Sequence, residues 1–176
     1  MLVSKTYPTE NKYTKMSARE AFDVELNALS RLKNYFRCEC GAGYHFPEVV
    51  NVDYINCVIY MTYCGNSLRD KGTVEDMKKT LKSEDIVRQV RCIMNNLRRA
   101  SVKHSDCART GQNICYKAGK LSLIDFDIAL VKGIPQNKVA LKWANSHGKD
   151  EDYYKFFGSQ LLIIINNICT DSSGNV

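Results

Sequence analysis

Apolar positions along the chain switch between two periods. In SAREAFDVELNALSRLKNYF, residues Phe22, Leu26, Leu29 and Leu32 recur three or four apart, which gathers them on one face of a helix. Ser17 and Glu20 stand three apart at its start, the spacing of a capping box. Ile86, Val90, Ile93 and Leu97 mark a second such stripe and predict a helix from about Ser83 to Ala100. Short apolar runs behave differently. LVSKTY near the start, EVVNVDY, and NCVIYMTYC after a turn around Asn56 read as strands. GNSL then breaks the pattern, and a polar segment leads to the second helix.

Beyond that helix, NICYK, a turn AGK and LSLIDFD form a hairpin whose second arm alternates with period two. A loop poor in apolar residues is predicted from about Lys132 to Glu151, and a last helix closes the order. Its run FFGSQLLIIINNIC is too short to span a bilayer and carries Gln160, Asn166 and Asn167, so it reads as a buried core helix. Strand, helix, two strands, helix, loop, hairpin, loop, helix is an α+β pattern: a small sheet-bearing part ahead of a mainly helical one.

Composition narrows the class. A chain of 176 residues is one compact domain, with room for two lobes and a real core. With 3 prolines and 10 glycines and no repeat, long flexible linkers are not expected. The net charge of +6 suits an anionic ligand, but the basic residues between Arg88 and Lys103 fit a solvated helix face, which disfavours nucleic-acid binding. MLVSK has no apolar stretch behind it, so neither a secretory signal nor a membrane partner is expected. The eight cysteines then read as reduced thiols of an intracellular, cytoplasmic protein. CECGAGYH brings Cys38, Cys40 and His45 close together, but it lacks the paired spacing and fourth ligand of a zinc site and reads as a turn at a strand edge.

The candidate chemistry sits in HSDCARTGQNICYKAGKLSLIDFD, residues 104–127. Asp106 lies in a polar loop where a carboxylate can accept a proton. Asn113 opens the hairpin and Asp125 ends its apolar second arm. Carboxylate and amide oxygens suit Mg²⁺, a hard cation that binds alongside substrate phosphates. Each residue alone is an ordinary loop former. The ordered set points to phosphate chemistry.

These residues resemble the catalytic core of the protein kinase superfamily: HSD matches its H-R-D motif, Asn113 its catalytic-loop asparagine and DFD its D-F-G motif. The resemblance implies that Asp106 is the base for a substrate hydroxyl, that Asn113 and Asp125 hold Mg²⁺ (or Mn²⁺), and that His104 and Phe126 pack in a spine beneath the site. Upstream, Lys5 in VSK resembles the strand lysine that grips the α- and β-phosphates of ATP, and Glu25 the helix glutamate that pairs with it. VIYMTYCGNSL resembles the hinge, with Met61 as gatekeeper and the backbone of Thr62, Tyr63 and Cys64 meeting adenine. Asp152 in the last helix is implied as an anchor for the catalytic loop.

The implied fold is a minimal bilobal kinase-like one that lacks the first two N-lobe strands and the last C-lobe helices. Residues 1–64 would be the reduced N-lobe and residues 65–176 the reduced C-lobe. Several positions depart from the family. No glycine-rich loop precedes Lys5, two extra residues separate Asp106 from Asn113, Ala108 replaces the usual loop lysine, Asp127 replaces the glycine of D-F-G, and no A-P-E motif follows. The implied activity is ATP-dependent transfer of the γ-phosphate to a hydroxyl, by default on protein serine or threonine. Two rivals remain: a pseudokinase or kinase mimic whose partner is another kinase, and a small-molecule kinase. The hinge is similar in style to those of compact kinases from large DNA viruses, which implies a host-cell or virion setting.

Overall fold

The computed structural model describes residues 1–7, 15–106, 111–135, 138, 141–142 and 150–171. Its first half contains β1 (Leu2–Thr6), α1 (Ala18–Tyr35), β2 (Val49–Asp53), β3 (Val58–Thr62), β4 (Asn66–Ser67) and α2 (Lys71–Thr80). There follow α3 (Ser83–Ala100), β5 (Val102–Lys103), β6 (Ile114–Lys117), β7 (Lys120–Leu123), β8 (Leu130–Val131) and α4 (Asp150–Asp171). The fold is α+β, with small antiparallel sheets packed against the helices.

Local chemistry explains the helix ends. In α1 the Glu20 N–H donates to Ser17 Oγ at 3.3 Å, and the Ser17 N–H donates to Glu20 Oε2 at 2.8 Å. This satisfies two amides that have no partner inside the helix. Seven α1 side chains are buried, and six are apolar; the seventh is Glu25. Helix α3 ends where Ser101 turns left-handed at φ 52° and its N–H returns to Arg98 and Leu97.

Three strands form one sheet in the order β1-β3-β2, with Lys5 of β1 opposite Ile59 of β3. A second sheet has the order β4-β6-β7, and β5 pairs with β8. The predicted hairpin is present as β6 and β7. Its turn is two residues, Ala118 and Gly119, with φ of 47° and 83°, since Lys120 already belongs to β7. Positive φ at both positions gives the turn whose twist matches that of the strands. Between β3 and β4, Gly65 has φ 107°, and a Cβ there would lie 2.1 Å from the Tyr116 carbonyl oxygen. Only glycine lets this segment pass so close to β6.

Helix α2 departs from the sequence reading, which left this segment as polar and unassigned. Asp70 caps it by accepting from the Thr73 N–H at 2.8 Å, but only Thr73, Val74 and Met77 are buried. So sparse an apolar face gives no readable stripe. The loop predicted from 132 to 151 lies largely outside the described residues, as do the extra catalytic-loop residues and Ala108.

The larger core cluster runs from α1 through α3 and the hairpin to α4, centred on Leu29, Phe46, Leu97, Leu121, Phe126 and Phe157. A small second cluster of Phe22, Ile59 and Met61 seals α1 against the first sheet. Burial of each such side chain contributes about 1.5–3 kcal/mol. In α4, Leu161, Ile164 and Ile165 are buried, as expected of a core helix, while Ile163 is half exposed. No helix among the described residues is long and apolar enough to cross a membrane.

Candidate active site

Lys5 is the centre of the site. Period-two alternation in β1 turns it and Tyr7 to the same side of the strand. The Lys5 Nζ donates to Glu25 Oε2 at 2.5 Å, also donates to Asp125 Oδ1, and lies 3.6 Å from Asp127 Oδ2. Glu25 is only 1% exposed, which a charged group tolerates when it is paired and hydrogen-bonded. Its remaining contacts are a 2.8 Å bond from the Tyr7 hydroxyl and a 3.4 Å bond from the Phe126 N–H to Oε1.

Three carboxylates facing one ammonium set the electrostatics. Burial opposes the Lys5 charge, but Glu25, Asp125 and Asp127 outweigh it and hold the ammonium well above the usual lysine range. Burial pushes the Asp127 carboxyl up to about 6; Lys5 opposes this, while Asp125 and Glu25 add to it. Tyr7 is raised first by burial and then by Glu25, so its hydroxyl stays protonated as a donor.

The backbone between β7 and Asp125 links the other half of the site. The Ile124 N–H donates to the Asn113 carbonyl at 3.0 Å, and His104 Nε2–H donates to the Ile124 carbonyl at 2.7 Å. Asn113 Nδ2 in turn donates to the Asp106 carbonyl and to its Oδ2, both at 3.1 Å. One residue, Ile124, therefore fixes the segments of His104, Asp106 and Asn113 relative to Asp125. Asp125 itself sits at φ 69°, a left-handed conformation that costs a non-glycine residue about 1 kcal/mol or more.

Beneath the site, the His104 ring lies 4.6 Å from Phe126 and 5.8 Å from Phe157, and Phe126 lies 5.9 Å from Phe46. Burial holds His104 below the ordinary histidine pKa, partly offset by its bond to Ile124, so the ring is neutral within this stack. Asp152, expected to anchor this region, is exposed. Phe157 of the same helix packs against the His104 ring.

A cleft of about 340 Å³ opens from the Lys5 cluster. Val3, Pro47, Cys115 and Ile124 line it along with the expected Met61, Thr62, Tyr63 and Cys64. At its lip the Thr62 N–H donates to the Glu48 carbonyl and the Tyr63 N–H to that of Met1. The Cys64 N–H has no partner among the described residues. The structure thus brings Lys5, Glu25 and Asp125 into direct contact, places Met61 to Cys64 along the same cleft, and joins Asp106 to Asn113 off its wall. Sequence reading missed Tyr7 and Phe46. Tyr7 had a signal in its two-residue offset from Lys5, whereas the position of Phe46 depends on a loop path that no periodicity reveals. Against known proteins, no family model and no curated protein matches the sequence.

Proposed function

We propose that the chain is an ATP-dependent phosphotransferase with a reduced protein-kinase-like, two-lobed fold, moving the γ-phosphate to a hydroxyl, by default of a protein serine or threonine. One observation carries the reading: Lys5 contacts both Glu25 and Asp125 at the end of a cleft lined by Met61, Thr62, Tyr63 and Cys64. A volume of about 340 Å³ is at the lower end of small-molecule sites. The unpartnered Cys64 N–H offers a donor to a purine edge at the lip, while the apolar walls suit its faces.

The donor set also fits a divalent cation. Glu25, Asp125 and Asp127 exceed Lys5 in charge; burial is the main cause of the raised Asp127 carboxyl, and the neighbouring carboxylates Asp125 and Glu25 add to it. Asp125 and Asn113 would hold Mg²⁺, which neutralises phosphate charge when bound. Lys5 would leave Asp125 to grip the α- and β-phosphates, still oriented by Glu25. Asp106, tethered by Asn113, would take the proton of the attacking hydroxyl as its oxygen bonds to the γ-phosphorus and the bond to the bridging oxygen breaks. Positioning and charge stabilisation suffice for such a reaction.

Transfer of radiolabel from γ-labelled ATP to the chain itself or to a generic basic protein, with Asp125→Asn as control, tests the reading. Mg²⁺-dependent label that vanishes in the control is expected. Mg²⁺-ATP binding without label on any hydroxyl would sink the enzyme reading and leave a module that binds another kinase.

A further inference from the structure

Cys38 and Cys40 lie in the loop between α1 and β2, and Cys92 lies on α3. The fold brings their three sulfurs within 4.8 Å of one another. The Cys38 and Cys40 sulfurs are 4.0 Å apart. Around tetrahedral zinc with bonds near 2.3 Å, thiolate sulfurs stand about 3.8 Å apart. In the sequence, Cys38 and Cys40 lack a visible partner because Cys92 lies more than fifty positions further on, in α3; the tertiary fold supplies it.

Two further features separate this cluster from a chance meeting of thiols. Backbone amides point at the sulfurs: the Gly43 N–H donates to Cys38 Sγ and the Glu39 N–H to Cys92 Sγ, each at 3.4 Å. Such bonds stabilise negative charge on sulfur, and thiolate is the form that ligates metal. The loop is also clamped to α3 before any ion binds. Arg37 N–H donates to Asn96 Oδ1 at 2.7 Å, Asn96 Nδ2 returns a 3.0 Å bond to the Arg37 carbonyl, and Glu39 pairs with Asn95 and Arg99.

A nearby fourth donor is His45. Its Nδ1–H donates to the Leu121 carbonyl at 2.7 Å, so Nε2 is the unprotonated nitrogen and accepts from the Cys40 thiol at 2.9 Å. A ligating histidine commonly has this arrangement, with its second nitrogen held by a carbonyl. The ring is not among the groups within the 4.8 Å circle, so the three sulfurs form the cluster and His45 stands beside it.

We propose that Cys38, Cys40 and Cys92 bind one zinc ion, or another thiophilic divalent cation, as a structural site that staples the α1–β2 loop to α3. On binding, the three thiol protons pass to solvent and three thiolate–metal bonds form. No electron transfer is involved. Cys38 is exposed and Cys92 buried, which gives the ion an entry path from one side.

The test uses the full chain purified under reducing conditions without chelator. Zinc is measured by mass spectrometry, and Co²⁺ is exchanged in as an optical probe. About one equivalent of zinc per chain is expected, together with near-ultraviolet thiolate-to-cobalt charge transfer. Both should be lost in Cys38→Ser and Cys92→Ser and kept in Cys57→Ser. Cys92 is buried, so its variant is checked for folding by circular dichroism, and the exposed Cys38 variant carries the test if it fails. A folded, reduced wild type with only trace zinc and no cobalt spectrum would overturn the proposal. So would a cobalt spectrum that survives the double variant Cys38→Ser/Cys40→Ser, or a disulfide within the trio in the native protein.

Discussion

Lys5 of β1 and Glu25 of α1 form a 2.5 Å ion pair in which the carboxylate is buried and the ammonium is partly exposed. The buried partner has more to lose. Among the described residues, Lys5→Ala leaves Glu25 with Tyr7 and the Phe126 N–H as its partners, and should lower stability by about 2–4 kcal/mol. Adding Glu25→Gln should recover much of that loss, because the uncompensated charge is then gone. A double-mutant cycle by urea denaturation checks this; additive losses would show that the two residues do not interact.

Transfer should separate the roles of two aspartates. Asp106→Asn should lower phosphate transfer by about 10²–10⁴-fold with Mg²⁺-ATP binding retained, as for loss of a general base. Asp125→Asn should lower transfer and also weaken the Mg²⁺ dependence of ATP binding. Parallel calorimetry and radiolabel assays on the two variants decide it, and unchanged transfer in Asp106→Asn would exclude that residue as the base.

Asp127 makes stability depend on pH. Its folded carboxyl is raised from 3.8 to about 6, so between those values the folded state holds more protons than the unfolded state. Its contribution is therefore unfavourable above pH 6 and fades toward pH 4. Asp127→Asn should stabilise the apo protein at pH 7.5, by on the order of 1–3 kcal/mol. The gain should shrink as the pH falls through 6 and disappear near pH 4. Melting temperatures measured across this range, without divalent cation, give the curve.

Phe126 joins the site to the core. It is fully buried between Phe46 and His104, and Phe126→Ala should cost about 3–5 kcal/mol. Both variants keep the backbone N–H that bonds Glu25, and the milder Phe126→Leu, which leaves less of a cavity, is the informative partner. It should keep most of the stability while lowering transfer, as read by denaturation and labelling of the same sample.

Much of this architecture is legible in the sequence where local rules govern. The α1 cap needs only Ser17 and Glu20, and the β6–β7 hairpin needs its alternating arm and a Gly119 turn. Helix α2 was hidden because Val74 and Met77 are its only buried apolar residues. Strands β4, β5 and β8, two residues each, are defined by their partners and not by their own side chains. The direct contact of Lys5 with Asp125 was not anticipated: the resemblance implied only that both belong to one ATP site, and no local pattern links positions 120 residues apart. Cys92 shows the same limit: its helical position marks it as buried, but not as a neighbour of Cys38 and Cys40.

The bonds on either side of His45 also bear on the order of assembly. Its Nδ1 binds the Leu121 carbonyl, and its own carbonyl accepts from the Leu123 N–H at 2.9 Å. These contacts span more than seventy residues, and closing so long a loop loses chain entropy before any contact offsets it. Helices α1 and α3 can form from local contacts, but the hairpin's docking onto the loop must wait for both. During synthesis, the β1–α1 end would leave the ribosome with Glu25 unburied and wait for the hairpin. The cluster around Lys5 is thus among the last parts of the molecule to assemble and among the first to be lost when the hairpin lifts away.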